Sequence, residues 1–103
     1  DLALRAAALC RERYADLSLN VNTLAELLQV ERSTLLRRFR QTMRQTPSQY
    51  LMQQRIQHAL TLLEQSRLPL SAIAQKCGFA DANYFCRVIR RELNMSPSEL
   101  RSR

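Results

Sequence analysis

Glycine is almost missing from this chain. Gly78 is the only one among 103 residues, and tryptophan is absent altogether. With 46% hydrophobic residues and so little glycine, the chain can bury a core and has the texture of an all-helical protein. Its length suits one small domain, or two very small lobes sharing a helix. No apolar run approaches the roughly 18 residues of a membrane span, and no signal-peptide pattern opens the chain. Cysteine is scarce and poorly spaced for chemistry. Cys10, Cys77 and Cys86 form no C-x-x-C pair, and His58 is the sole histidine. That leaves no credible zinc set, no disulfide framework and no nucleophile–base couple. Neither a metal, a cofactor nor an enzymatic activity is expected, and the cysteine usage fits a reducing cytoplasm. The start at Asp1, without Met, is expected of a fragment of a longer protein.

Negative charge is missing where positive charge collects. No Asp or Glu lies between Glu31 and Glu64, yet Arg32, Arg37, Arg38, Arg40, Arg44 and Arg55 fall there. The formal net charge is +7, and arginine supplies every cation except Lys76. Guanidinium forks suit phosphates and guanine edges better than an ammonium does, so the stripe favours a polyanion. A solvated basic face is the plainer explanation for a charge run taken alone.

What the chain does have is a repeat. Leu35-Leu36-Arg37-Arg38-Phe39, then Thr46-Pro47-Ser48-Gln49, returns as Phe85-Cys86-Arg87-Val88-Ile89, then Ser96-Pro97-Ser98-Glu99, at a constant offset of 50. An internal period of this length means two copies of one supersecondary unit. Upstream, Ile73-Ala74 matches Leu24-Ala25 and Phe79 matches Val30, both at an offset of 49. One residue is therefore inserted in the following turn of the second copy.

Periodicity places about seven helices and no strand. Leu2, Ala6, Leu9 and Cys10 mark one face of a first helix that ends near Tyr14 to Asp16. Asn20 or Asn22 caps a short second helix carrying Leu24, Ala25, Leu27 and Leu28. Gln29-Val30-Glu31 is a tight break, with Glu31 placed to cap a third helix from about Arg32 to Met43. In that helix Leu35, Phe39 and Met43 face inward, while Arg37, Arg40 and Arg44 reach outward. Thr46-Pro47-Ser48-Gln49 is a capping box opening the longest helix, which runs to about Gln65. Ser66-Arg67-Leu68-Pro69 breaks it. A fifth helix closes at Cys77-Gly78-Phe79, where Gly78 suits a left-handed position. Asp81 caps a sixth of about Ala82 to Leu93, buried through Phe85, Ile89 and Leu93, and Ser96 starts a short seventh.

A short helix, a tight turn and a second helix with apolar anchors inside and arginines outside describe a helix-turn-helix. Its second helix fits the major groove, where all four base pairs are distinguishable. Two such units joined by a helix could probe successive major-groove segments, roughly 34 Å apart. The expected organisation is a first lobe over 1–46, a linker helix over 47–66 and a second lobe over 67–103. The same residues carry a family likeness. The run Ile73-Ala74-Gln75-Lys76-Cys77-Gly78-Phe79-Ala80-Asp81-Ala82-Asn83-Tyr84-Phe85-Cys86-Arg87, with Ser96-Pro97, resembles the signature of the AraC/XylS family. Leu24-Ala25, Leu35, Arg37, Phe39, Pro47 and Tyr50-Leu51 resemble the family's other half.

This resemblance implies two helix-turn-helix (homeodomain-like) lobes of a bacterial transcription regulator that binds double-stranded DNA. It also implies an N-terminal sensing or dimerising domain elsewhere in the parent protein. Four positions depart from the family pattern. Ile89 replaces phenylalanine, Leu100 replaces an aromatic, and Arg44 and Asn94 replace glycines after the reading helices. Asparagine tolerates positive φ; arginine there costs more. An alternative function is a protein-interaction module whose arginines dock an acidic partner such as RNA polymerase.

Aligned with the family's base-contacting positions are Ser33, Leu36 and Arg37 in the first reading helix, about 32–43. Ala82, Asn83, Cys86 and Arg87 take the matching face of the second, about 82–93. Arg37 and Arg87 suit guanine; the alternatives for Arg37 are a phosphate contact or a pair with Glu31 or Glu64. Leu36 suits a thymine methyl, unless the helix is rotated and Leu36 is core. Asn83 suits adenine, or simply supports the helix start. Cys86 is small enough to lie close to a base edge, and a redox role for it lacks a resolving partner. Arg32, Arg38, Arg40, Arg90 and Arg91 are expected at phosphates. The helix starts at Thr46 and Ser96 are either phosphate sites or simple caps.

Overall fold

The 3.6-residue periodicity is realised along the whole chain. A computed structural model describes all of residues 1–103. It contains α1 (Leu2–Arg13), α2 (Val21–Leu28), α3 (Arg32–Met43), α4 (Pro47–Gln65), α5 (Leu70–Lys76), α6 (Ala82–Leu93) and α7 (Pro97–Ser102), with no strand. Two compact units divide the chain, Asp1–Gln54 and Arg55–Arg103, so the boundary falls inside α4.

In the first unit, α1 and α2 pack on each other and on α3. Leu24, Leu35 and Phe39 are fully buried there, together with Ala6, Ala7 and Cys10 of α1. Three alanines at Ala3, Ala6 and Ala7 form the inner face of α1, and such small side chains allow close helix approach. The Phe39 ring meets Tyr50 edge to face, 5.8 Å between centroids. The Tyr50 hydroxyl accepts a hydrogen bond from Arg11 Nη1 at 2.9 Å, which ties α1 to the start of α4.

In the second unit, α5 and α7 pack on α6. Phe79 and Phe85 stack at 4.9 Å with their planes tilted, and Ile73, Val88 and Ile89 are buried as well. Val88 was not among the residues expected inside, and Leu93, which was, is only partly buried. The reason is geometric. Phe85, Val88 and Ile89 lie at i, i+3 and i+4, a tighter stripe than one that continues to position 93. Arg101 of α7 donates from Nε to the Leu63 carbonyl at 3.3 Å, satisfying an acceptor in the last turn of α4.

The turns explain why each short helix stops where it does. Gln29 is left-handed, φ 57° and ψ 45°, and the Val30 N–H reaches back to the Ala25 carbonyl at 3.0 Å. With the Gln29 N–H on the Glu26 carbonyl at 3.1 Å, this is a Schellman closure. The second copy repeats the long bond: Gly78 is left-handed at φ 88°, and the Phe79 N–H meets the Ala74 carbonyl at 2.9 Å. Asn20 and Asp81 cap α2 and α6 through their side chains. Glu31 does stand at the start of α3, but its side chain makes no capping hydrogen bond. Both expected capping boxes form. Thr46 and Gln49 exchange bonds of 2.9 and 3.1 Å, and Ser96 and Glu99 exchange two of 3.1 Å.

Candidate nucleic-acid interface

Burial of one stripe of α3 dictates what its other side presents. With Leu35 and Phe39 fully buried, Ser33, Leu36, Arg37 and Arg40 follow i, i+3, i+4 and i+7 along the opposite face. Ser33, Arg37 and Arg40 are exposed, and Leu36 is half-buried. The helix is therefore not rotated: the core position belongs to Leu35, and Leu36 lies at the edge of the wet face.

The second unit repeats this face. Asn83, Cys86, Arg87 and Arg90 occupy the same register on α6; the cysteine is partly buried and the other three are exposed. Ala82 sits half-buried at the helix start. Arg32, Arg38 and Arg91 are exposed as well, Arg38 at the register where α6 buries Val88, away from this face. Each unit thus gathers its expected contact residues on one helix.

Charge is left available for an external partner. Arg37 and Arg87 engage no carboxylate, whereas Arg91 makes an exposed 3.5 Å pair with its neighbour Glu92. An exposed pair of this kind contributes at most about 1 kcal/mol and yields readily to a phosphate. Arg37 therefore has no internal pair with Glu31 or Glu64, the alternative its sequence surroundings allowed. Thiol chemistry is confined to one place. Cys10 and Cys77 are buried, burial pushes the Cys77 thiol above its ordinary value, and only Cys86 is partly accessible.

A further contact on this face joins Arg87 to an aromatic ring. The Arg87 guanidinium lies over the Tyr84 ring, 5.8 Å from its centroid. The i, i+3 spacing permits such a meeting, but the rotamers that make it are not legible in residue types.

Sequence comparison decides the family. The profile of a helix-turn-helix domain family matches residues 24–103, most of the chain. The chain belongs to the AraC-type helix-turn-helix family of transcriptional regulators. Among curated relatives, the HTH-type transcriptional activator RhaR of Escherichia coli (strain K12) is 49% identical over 67 residues. That match covers 65% of this chain and 24% of the relative, so the matched segment is about a quarter of that protein's length. Among solved structures, the DNA-binding domain of AdpA, in complex with a target DNA, superposes with a TM-score of 0.90 at 32% identity. The match covers 99% of this chain and 91% of that one. The C-terminal domain of AraT, a response regulator from Geobacillus stearothermophilus, gives a TM-score of 0.95 at 25% identity, covering 98% and 84%. The fold implied by the family resemblance is the fold observed: seven helices carrying two helix-turn-helix units. No helix is long and apolar enough to cross a membrane.

Proposed function

We propose that this AraC-type domain reads duplex DNA sequence-specifically for transcription control, with α3 and α6 each entering a major groove. Arg37 and Arg87 are the principal readers, through bidentate contacts to guanine O6 and N7. Ser33, Leu36, Ala82, Asn83 and Cys86 line the same two base-facing surfaces. Arg32, Arg38, Arg40, Arg90 and Arg91 clamp phosphates, which position the helices without carrying sequence information. In this reading α4 links two lobes that engage successive groove segments of one site.

The supporting observation is the matched exposed register on α3 and α6, with an unpaired arginine at the same place in each. A docking surface for an acidic protein needs arginines, but it does not need two helices with the same register. The parent protein works in the bacterial cytoplasm, is not an enzyme, and carries a further sensing or dimerising domain. Contact with RNA polymerase belongs to the same proposal, in keeping with the activator name of the RhaR relatives.

Selection from a random duplex library tests this directly. The expected site is bipartite, with two preferred segments about one helical turn apart. Arg37→Ala and Arg87→Ala each relax preference at a different segment by roughly 1–3 kcal/mol. Arg90→Ala weakens binding to all sequences alike and lowers the salt slope by about one phosphate contact. Equal loss on selected and random duplex for the first two variants would show that neither arginine reads bases.

A further inference from the structure

We infer that Tyr84 is a positioning residue for Arg87, so that the second lobe holds its reading arginine in place while the first leaves Arg37 to adapt. The inference rests on the proposed role of Arg87 and adds to it the residue that sets the sharpness of that reading.

Tyr84 is held at its backbone and, separately, at its ring. Its own backbone N–H is capped by Asp81 Oδ1 at 2.7 Å, which pins the first turn of α6. Its ring lies 6.2 Å from Phe79, tilted by 54°, and Phe79 in turn stacks on the buried Phe85. Three aromatic rings therefore lead from the core to the surface, and the Arg87 guanidinium covers the last of them at 5.8 Å. That distance lies within the range of cation–π attraction. Arg87 gains a preferred rotamer without losing a charge or a donor, because ring-face contact leaves the N–H fork free to turn toward a base. An arginine already ordered in the free protein loses less side-chain entropy when it docks.

The first lobe lacks every part of this support. Thr34 stands where Tyr84 stands, and Val30 stands where Phe79 stands. Neither has a ring face. Arg37 has the same exposed position as Arg87 and no aromatic beneath it. The duplication therefore produces one pre-ordered reader and one free reader.

The test uses the full 103-residue chain and a duplex recovered from a random library. Each half of that duplex is then mutated in turn. Tyr84→Leu is expected to reduce discrimination at the segment read by Arg87 by about two- to five-fold, the size of a surface cation–π contact. Discrimination at the Arg37 segment stays as it was. Tyr84→Phe keeps the ring face and the discrimination. In the Tyr84→Leu/Arg87→Ala double variant, the effect of Tyr84→Leu disappears. Tyr84→Met, which keeps bulk against Phe79, repeats the leucine result should leucine lower thermal stability.

Three results overturn the inference. If Arg87→Ala relaxes discrimination and both Tyr84→Leu and Tyr84→Met leave it intact, Arg87 reads without help from the ring. If Tyr84→Phe loses as much as Tyr84→Leu, the hydroxyl is the active group and the ring face is not. If Arg87→Ala itself changes no base preference, the reading role fails first and the positioning role falls with it.

Discussion

The two lobes share a backbone far more closely than they share side chains. Both reading helices have twelve residues and end in a left-handed residue, Arg44 at φ 60°, ψ 23° and Asn94 at φ 57°, ψ 22°. Both short helices end in a left-handed turn closed by the same long backbone bond. Yet the turn residue is Gln29 in one and Gly78 in the other, and the aromatic pair Phe39–Tyr50 becomes the aliphatic pair Ile89–Leu100. Arg38 is exposed where Val88 is buried. Duplication has therefore preserved what the backbone hydrogen bonds and the buried stripe require. Side-chain chemistry has drifted wherever volume or charge could be met another way.

The largest expected effects test whether the swapped core pairs are equivalent. Phe39→Ala removes a fully buried ring and its edge contact with Tyr50, which should cost about 3–5 kcal/mol. Ile89→Ala, at the matched position, should cost about 2–5 kcal/mol. Phe39→Ile alone leaves space beside Tyr50; adding Tyr50→Leu completes the second lobe's pairing but removes the hydroxyl that Arg11 holds. The double variant is thus expected to be non-additive, since the two residues touch. Denaturant unfolding reads these four together with Tyr50→Leu alone, which completes the cycle. Strict additivity would mean that the aromatic pair contributes nothing as a pair.

A middle-sized effect separates the turns. Gly78 carries φ 88° without a Cβ, whereas Gln29 and Arg44 hold similar conformations against a steric penalty. Gly78→Ala should therefore destabilise by about 1–2 kcal/mol. Arg44→Gly should stabilise by at most about 1 kcal/mol, because relief of strain is offset by greater freedom of the unfolded chain. Thermal melting of both variants checks the signs. A stabilising Gly78→Ala would show that the left-handed turn is not what ends α5.

Most of the architecture was legible because local signals agree with each other. Thr46-Pro47, Ser96-Pro97 and Asp81 mark helix starts by their own chemistry, and the bounds of α3 and α6 coincide with those the periodicity predicts. The wet faces followed from the dry ones, since Leu35 and Phe39 leave only one side for Arg37 and Arg40. Other features had weaker signals or none. Nothing in a glutamine announces a left-handed conformation, and Gln29 becomes suspect only when aligned with Gly78. Glu31 has the right position for a cap, but its side chain makes no capping hydrogen bond. The bond from Arg101 to the Leu63 carbonyl joins residues 38 apart and depends on packing that no local pattern encodes. The contact between Tyr84 and Arg87 is close in sequence, yet it is decided by two rotamers.

The smallest effect distinguishes the two capping boxes by acid. Gln49 closes the first box and cannot titrate; Glu99 closes the second. Hydrogen bonds from Ser96, backbone first and hydroxyl second, hold the Glu99 carboxyl below its ordinary range, and the charge of Arg90 adds to this. A carboxyl lowered in the folded state stabilises the fold above its unfolded pKa. That contribution is lost as pH falls through the folded value. Stability of the unmodified chain should therefore decline more steeply in acid than that of Glu99→Gln, which keeps a box of the first lobe's type. Gln49→Glu should import the same acid sensitivity into the first lobe. Chemical denaturation from neutral pH down through the carboxylate range measures both slopes. The comparison fails if Glu99→Gln and the unmodified chain lose stability in parallel, because the Ser96 bonds would then persist on a neutral carboxyl.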